Sequence, residues 1–178
     1  PYPAAIMTTS DLRGWFDADS ASTITATGSL VSAWNDRSGN GLNLTQATGG
    51  AQPTTVAAQL NGRSVMRFAG AQTMSNIAYP TTGWTGVDTF AVAKWTTTGT
   101  GHLDIQVLVD NNHGGTGGFV LQDRPDLTNR PLSFAHCPCA SSPTDTATTG
   151  DGTWKLASAS ANLINDTLYR NGALVGSC

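Results

Sequence analysis

Three pieces of sequence decide the fold predicted for this chain: LRGWFD at residues 12–17, LVSAWNDRSGNG at 30–41 and QLNGRSVMRF at 59–68. The first two begin with strand-like runs, and the second continues into a tight turn rich in Gly and Asn. The third is a hairpin pattern, with strand-like residues on both sides of Asn61-Gly62. Together they predict antiparallel strands joined by short glycine turns.

The composition of the whole chain favours strands over helices. Its 178 residues include no Glu and only two Lys, Lys94 and Lys155. Glu and Lys are good helix formers, whereas the abundant Thr and Val favour strands and Gly and Asn favour turns. Charged residues make up 12% and the net charge is −3, so we expect no nucleic-acid partner, which would require a basic surface.

Further strand patterns fill the rest of the chain. Residues 89–97 carry apolar side chains in both alternating phases, which predicts a strand covered on both faces, as in a sandwich. The pattern of residues 102–110 predicts a second long strand, and residues 110–118 are predicted to form a polar glycine-rich loop. Residues 167–176 form a hairpin around Asn171-Gly172. Shorter strands are predicted at 22–25, 43–47, 118–122, 132–136 and 154–161, with a weaker pattern at 72–78.

The motifs resemble a known family. Residues 15–18 (WFDA), 34–41 (WNDRSGNG), 60–68 (LNGRSVMRF) and 168–175 (LYRNGALV) stand in the order found in concanavalin A-like lectin/glucanase domains of the LamG-related kind. The resemblance implies an all-β fold, a two-sheet antiparallel jelly-roll sandwich. We assign residues 1–10 to an N-terminal arm and 11–178 to this lectin-like domain. In the family a further strand follows the last hairpin, so we expect a missing C-terminal strand to be supplied by another segment or copy.

The residues argue against catalysis. Glucanases of this fold share an E-x-D-x-x-E strand, in which one Glu is the nucleophile and the other is the acid/base. This chain contains no Glu, and Asp17 and Asp19 are the nearest approach to a carboxylate pair on a strand. We therefore predict no hydrolysis of polysaccharides.

Two segments resemble calcium-binding loops. Residues 36–41 (DRSGNG) match the start of such a loop, but Ala47 stands where a bidentate Glu is needed. We interpret this segment as a tight turn with hydrogen bonds from backbone groups to Asp36. Some relatives bind Ca²⁺ through loop Asp and Asn residues, and Asp110, Asn111 and Asn112 would be the candidates here. We favour a polar loop without a cofactor.

The three cysteines allow two interpretations. His136, Cys137, Cys139 and Cys178 have the donor set of a Cys₃His zinc site, but a C-x-C pair is shorter than the usual C-x₂₋₄-C spacing. A disulfide from Cys178 to Cys137 or Cys139 fits better and would fasten the last hairpin to the preceding long loop. The odd count leaves one thiol free or paired with another chain.

Aromatic residues supply the candidate binding site. Trp15, Trp34 and Trp154 lie in strand patterns and are predicted to be in the core, with Trp95 at the rim. Trp84 lies in a predicted loop of small polar residues, where its indole can either stack on a sugar ring or fold back under the loop. Loops of a sandwich commonly carry function, so the predicted carbohydrate contacts are Trp84, Asp110, Asn111, Asn112 and His113.

The resemblance and the composition together suggest a function. We expect a non-catalytic, surface-displayed lectin-like module, a virion (bacteriophage) decoration or fibre protein that contacts host or environmental glycans. The alternative is a carbohydrate-binding module of a secreted bacterial polysaccharide-degrading or adhesion protein. The expected partners are other copies of the chain or a larger virion or surface assembly. No run of about 20 apolar residues is present, so no membrane association is predicted, and the expected location is a virion surface or extracellular.

Overall fold

The chain is an antiparallel all-β protein, as predicted. The computed structural model describes residues 12–70, 72–76, 86–95, 106–111, 119–123, 132–136, 143–147, 151–162 and 165–178. Within those ranges every strand pairing is antiparallel, and the helical content is limited to two 3₁₀ turns, Ala21–Thr23 and Gly49–Ala51. The strands are β1 (Ile24–Thr27), β2 (Leu30–Trp34), β3 (Leu44–Thr45), β4 (Thr54–Leu60), β5 (Arg63–Arg67), β6 (Gly86–Ala93), β7 (Gln106–Asn111), β8 (Phe119–Asp123), β9 (Leu132–His136), β10 (Lys155–Asn162), β11 (Asp166–Arg170) and β12 (Ala173–Ser177).

The chain divides into two compact units, Pro1–Tyr79 and Pro80–Cys178. The first unit contains one sheet in the order β1-β2-β4-β5, with β3 also paired to β2. The predicted hairpin around Asn61-Gly62 is confirmed as β4 and β5, in which Leu60 opposes Arg63. Both turn residues have positive φ, 50° for Asn61 and 76° for Gly62, as the two-residue turn of a type I′ hairpin requires.

The first quoted piece of sequence is not a strand. Residues 12–17 belong to no sheet and are held instead by the turn that begins at Asp36. The backbone N–H of Trp15 donates to Asp36 Oδ1 at 2.9 Å, and the N–H of Arg37 donates to the Trp15 carbonyl at 2.8 Å. The prediction failed because the backbone of this run bonds to a turn rather than to a neighbouring strand.

The second unit contains two sheets, one in the order β12-β11-β10-β6 and one in the order β7-β8-β9. Their facing sides form a single core cluster, in which large side chains of the three-stranded sheet pack against small side chains of the four-stranded sheet. Ala residues on β10 leave the space that the large side chains of β8 and β9 occupy. The members of the cluster are Trp95, Leu121, Leu132, Phe134, Ala157, Ala159, Ala161 and Leu168.

The predicted C-terminal hairpin is confirmed as β11 and β12. Its turn residues Asn171 and Gly172 have φ of 52° and 82°, again the type I′ conformation. On β12, an added Cβ at Gly176 would lie 2.9 Å from the backbone N of Thr144, so this position accepts only glycine without a shift of the backbone. The segment containing Thr144 pairs with β9, since the Phe134 N–H donates to the Pro143 carbonyl at 3.0 Å.

Several predictions about burial are wrong. Trp15, Trp34 and Trp154, predicted to be in the core, are partly exposed and lie outside the core cluster. The strand predicted at 89–97 lies at 86–93 as β6, and it is covered on one face only, with Phe90 71% and Val92 58% exposed. Trp95, predicted at the rim, is 5% exposed and belongs to the core. The periodicity gave the strand correctly but could not show that a second layer covers a single side of it.

Candidate functional site

The structure describes two of the five residues predicted to contact carbohydrate, Asp110 and Asn111. Asp110 and Asn111 lie in β7, where they oppose Val120 and Phe119 of β8, so this strand continues one residue further into the expected loop. Trp84, Asn112 and His113 lie outside the described residues. The carbohydrate contacts predicted from sequence therefore stay predictions.

The calcium-like turn is a network of hydrogen bonds around one carboxylate. Asp36 Oδ1 accepts the N–H groups of Trp15 (2.9 Å) and Ser38 (2.8 Å), and Oδ2 accepts the Ser38 hydroxyl (2.6 Å) and the Leu42 N–H (3.3 Å). Partial burial opposes ionisation of Asp36, but these donors outweigh it and hold its pKa below the ordinary value. Both oxygens are occupied by protein donors, which confirms the Asx-type turn.

The two carboxylates nearest to a catalytic pair are both engaged in ion pairs. Asp17 Oδ2 lies 2.8 Å from Arg37 Nη1, and the Arg37 guanidinium stacks 4.6 Å above the Trp15 ring. Asp19 Oδ2 lies 2.9 Å from Arg63 Nη1. Each carboxylate therefore already has a cationic partner, Arg37 for Asp17 and Arg63 for Asp19.

Cys178 is disulfide-bonded in the structure, and its N–H donates to the Asp166 carbonyl at 3.0 Å. The two other cysteines, at 137 and 139, lie outside the described residues, so which of them pairs with Cys178 stays a prediction. Among the residues that are described, no group of three or more His, Cys, Asp or Glu could hold a metal ion, and no helix has the length and apolarity needed to span a membrane.

The outstanding surface of the second unit is the side of its four-stranded sheet that faces away from the core. We call it the outer face, and the core side the inner face. On β10 the two faces alternate strictly: Ala157, Ala159 and Ala161 are 0%, 2% and 3% exposed, whereas Ser158 and Ser160 are partly exposed. The exposed large apolar residues of the outer face are Phe90, Val92, Leu156 and Leu174.

Strand register sorts the outer face into rows that run across the strands. Ser158 of β10 opposes Phe90 of β6 on one side and Tyr169 of β11 on the other. Tyr169 in turn opposes Leu174 of β12. Directly opposed residues project from the same face of a sheet, so Phe90, Ser158, Tyr169 and Leu174 form one continuous row. We call it the aromatic row.

A hydrophilic row lies beside the aromatic row. Ser160 opposes Asp88 of β6 and Thr167 of β11, and Thr167 opposes Ser177 of β12. These four residues, the polar row, present three hydroxyls and one carboxylate. On the other side of the aromatic row, Leu156 opposes Val92. An open depression of about 300 Å³ on this face is lined by both rows, including Asp88, Phe90, Ser158, Ser160 and Tyr169.

Lysines lie at one end of the sheet on both faces. On the exposed side, Lys94 Nζ lies 5.2 Å from the centre of the Trp154 ring. On the core side, Lys155 is 4% exposed and its Nζ lies 5.5 Å from the centre of the Trp95 ring. Lys155 donates to Asp151 Oδ1 and to Thr153 Oγ1. The bond from Lys155 to Asp151 holds the Asp151 pKa well below the ordinary value of 3.8.

Sequence reasoning missed the outer face because the rows exist only once three strands are in register. Phe90 and Tyr169 are 79 positions apart in the chain (169 − 90), and nothing in their local patterns links them. One signal was present: on β10, small apolar residues alternate with serines, which marks one covered and one hydrophilic side. That signal does not show which aromatic residues stand beside the serines.

No protein-family model, curated protein or solved structure matches this chain. The likeness to concanavalin A-like domains therefore rests on the motifs of the sequence.

Proposed function

We propose that this chain is a non-catalytic lectin-like module, a jelly-roll sandwich displayed on a surface, and that it binds glycans through the outer face of its second unit. The observation that carries the proposal is the aromatic row lying beside the polar row. Such a surface offers flat apolar rings and hydrogen-bonding groups to the same ligand.

This pairing matches the chemistry of a sugar. A pyranose ring has an apolar face of C–H groups and a rim of hydroxyls, so it stacks on an aromatic ring while its edge forms hydrogen bonds. Phe90 is 71% exposed and Tyr169 adds a phenol in the same row. The hydroxyls on the rim of the sugar would form hydrogen bonds with Ser160, Thr167 and Asp88.

The charge distribution supports binding rather than hydrolysis. Four Asp side chains among the described residues form ion pairs with a cation: Asp17 with Arg37, Asp19 with Arg63, Asp145 with Arg170, and Asp151 with Lys155. Asp145 is 2% exposed, with its Oδ2 2.9 Å from Arg170 Nε. Glycoside hydrolysis requires two carboxyl groups flanking one bond, and the aromatic and polar rows contain one carboxylate, that of Asp88.

An open face of this size binds a single glycan weakly, because little ligand surface is removed from water. Repeated copies on one particle raise the effective affinity without new contacts. A virion surface, or another extracellular assembly with many copies, is therefore the setting that we propose for this module.

The test is a glycan array probed with a multivalent form of the protein, such as a biotinylated chain on streptavidin. We expect binding that is lost in Phe90→Ala and retained in Phe68→Ala, a matched control because Phe68 is also an exposed Phe (47%) but belongs to the first unit. A Trp84→Ala variant separates the outer face from the loop predicted from sequence. An array without signal, or a signal unchanged in Phe90→Ala, contradicts the proposal.

A further inference from the structure

The rows of the outer face point to a particular class of glycan. We infer that the ligand is an extended, β-linked polysaccharide chain that lies across the strands, along the aromatic row. The inference rests on the proposed function and adds to it the linkage and direction of the ligand.

The spacing of the two aromatic residues supports an extended chain. Phe90 on β6 and Tyr169 on β11 stand on either side of Ser158 on β10. Adjacent strands are about 4.8 Å apart, so two rings separated by one strand are about 10 Å apart. In an extended β-1,4-linked chain each sugar is turned over relative to its neighbour, and every second ring presents the same face. Two alternate rings would then stack on Phe90 and Tyr169.

Ser158 fits the sugar between them. A side chain this small, flanked by two large rings, leaves space above the sheet for a ring that does not stack. Its hydroxyl can accept or donate a hydrogen bond at that position. A large residue at 158 would occupy the path of the chain between the two aromatic contacts.

The polar row fits the edge of the same ligand. Ser160 lies two residues from Ser158 on β10, which corresponds to about 7 Å along the strand. Asp88 and Thr167 lie beside Ser160 in register. A chain lying on the aromatic row would direct the hydroxyls of one edge towards these three side chains, while Val92 and Leu156 would border its other edge.

The same geometry disfavours other glycans. A terminal monosaccharide covers one aromatic ring and leaves the second in water. An α-1,4-linked chain coils, so it does not present the same face at alternate rings along a straight path. We therefore expect affinity to depend on chain length and on linkage.

The experiment is calorimetric titration of the protein with β-1,4-linked glucose and N-acetylglucosamine oligomers of two to six units, with maltohexaose as the α-linked control. We expect at least one β-linked hexamer to bind, and its dimer to bind at least about tenfold more weakly, because one stacked ring contributes about one factor of ten. Phe90→Ala and Tyr169→Ala should each weaken the hexamer by about tenfold. Ser158→Phe should abolish its binding, whereas Phe68→Ala should leave it unchanged.

The outcomes separate the two proposals. Equal binding of maltohexaose, or of dimer and hexamer, overturns the inference and leaves the glycan-binding function standing. Glycan-array binding that is lost in Phe90→Ala but kept in Tyr169→Ala does the same. Absence of binding to any glycan, together with a Phe90→Ala change that converts a dimer to a monomer on size exclusion, overturns both and assigns the outer face to a second copy of the chain.

Discussion

The two faces of the four-stranded sheet differ although they are made by the same strands. On the inner face, Ala157 and Ala159 are 0% and 2% exposed beneath the large side chains of β8 and β9. On the outer face, Phe90 and Leu174 are 71% and 57% exposed. Large apolar side chains thus lie on the open side as well as in the core, where Leu168 is 0% exposed. The difference indicates that residue size does not decide burial; the presence of a second layer does.

The two lysines of the chain repeat this contrast. Each lies over a tryptophan ring, Lys155 over Trp95 on the inner face and Lys94 over Trp154 on the outer face. Lys155 is 4% exposed and donates to Asp151 and Thr153, whereas Lys94 is exposed. A contact between Lys and Trp is therefore made by a buried lysine on the inner face and by an exposed lysine on the outer face.

A charge placed on each face in turn should give the largest difference in stability between the two faces. Ala159→Asp buries an unpaired carboxylate in the core and should destabilise the fold by at least about 3 kcal/mol. Ser158→Asp, on the adjacent residue of the same strand, should change stability by no more than about 0.5 kcal/mol. Urea unfolding followed by tryptophan fluorescence measures both. Similar losses for the two variants would mean that the outer face is also covered.

Truncation of the two lysines should give a smaller difference in the same direction. Lys155→Ala removes the aliphatic stem packed against Trp95 and the bonds of its ammonium group, which should cost about 1–2 kcal/mol. Lys94→Ala should cost no more than about 0.5 kcal/mol. The midpoints of thermal unfolding provide the measurement. A greater loss for Lys94→Ala would contradict the assignment of the two faces.

The smallest effect is expected at low pH, on the stability that the Asp151–Lys155 pair contributes. Because the Asp151 pKa is lowered in the folded state by the Lys155 ammonium, the pair stabilises the fold above the ordinary carboxyl pKa, and this contribution is lost as the pH falls through the depressed value. The Asp151→Asn variant has no carboxyl group at this position to titrate. The difference in Tm between the native chain and Asp151→Asn should therefore shrink from about pH 5 to about pH 2.

The change should be modest, since Asp151 is 44% exposed and water screens the pair. A Tm difference for Asp151→Asn that stays constant over the whole range would show that the pair does not contribute to folding.

The local elements were predictable because their causes are local. The turns at Asn61-Gly62 and Asn171-Gly172 follow from the positive φ that these residues tolerate, and β2 and β9 lie at the residues predicted for them. The exception, residues 12–17, shows the limit of that reasoning. A strand-like run forms a strand only if a partner strand is present, and here the backbone N–H of Trp15 bonds to the carboxylate of Asp36 instead.

The sequence by itself determined that this chain forms antiparallel strands with two distinct sides, because a period of two residues is a property of the extended backbone. Only the tertiary structure decided which side is covered and which residues stand together on the open side. Coverage depends on where Leu121, Leu132 and Phe134 pack, and the row that joins Phe90 to Tyr169 depends on the register of three strands. Both are contacts between distant parts of the chain, and periodicity along a single strand carries no information about them.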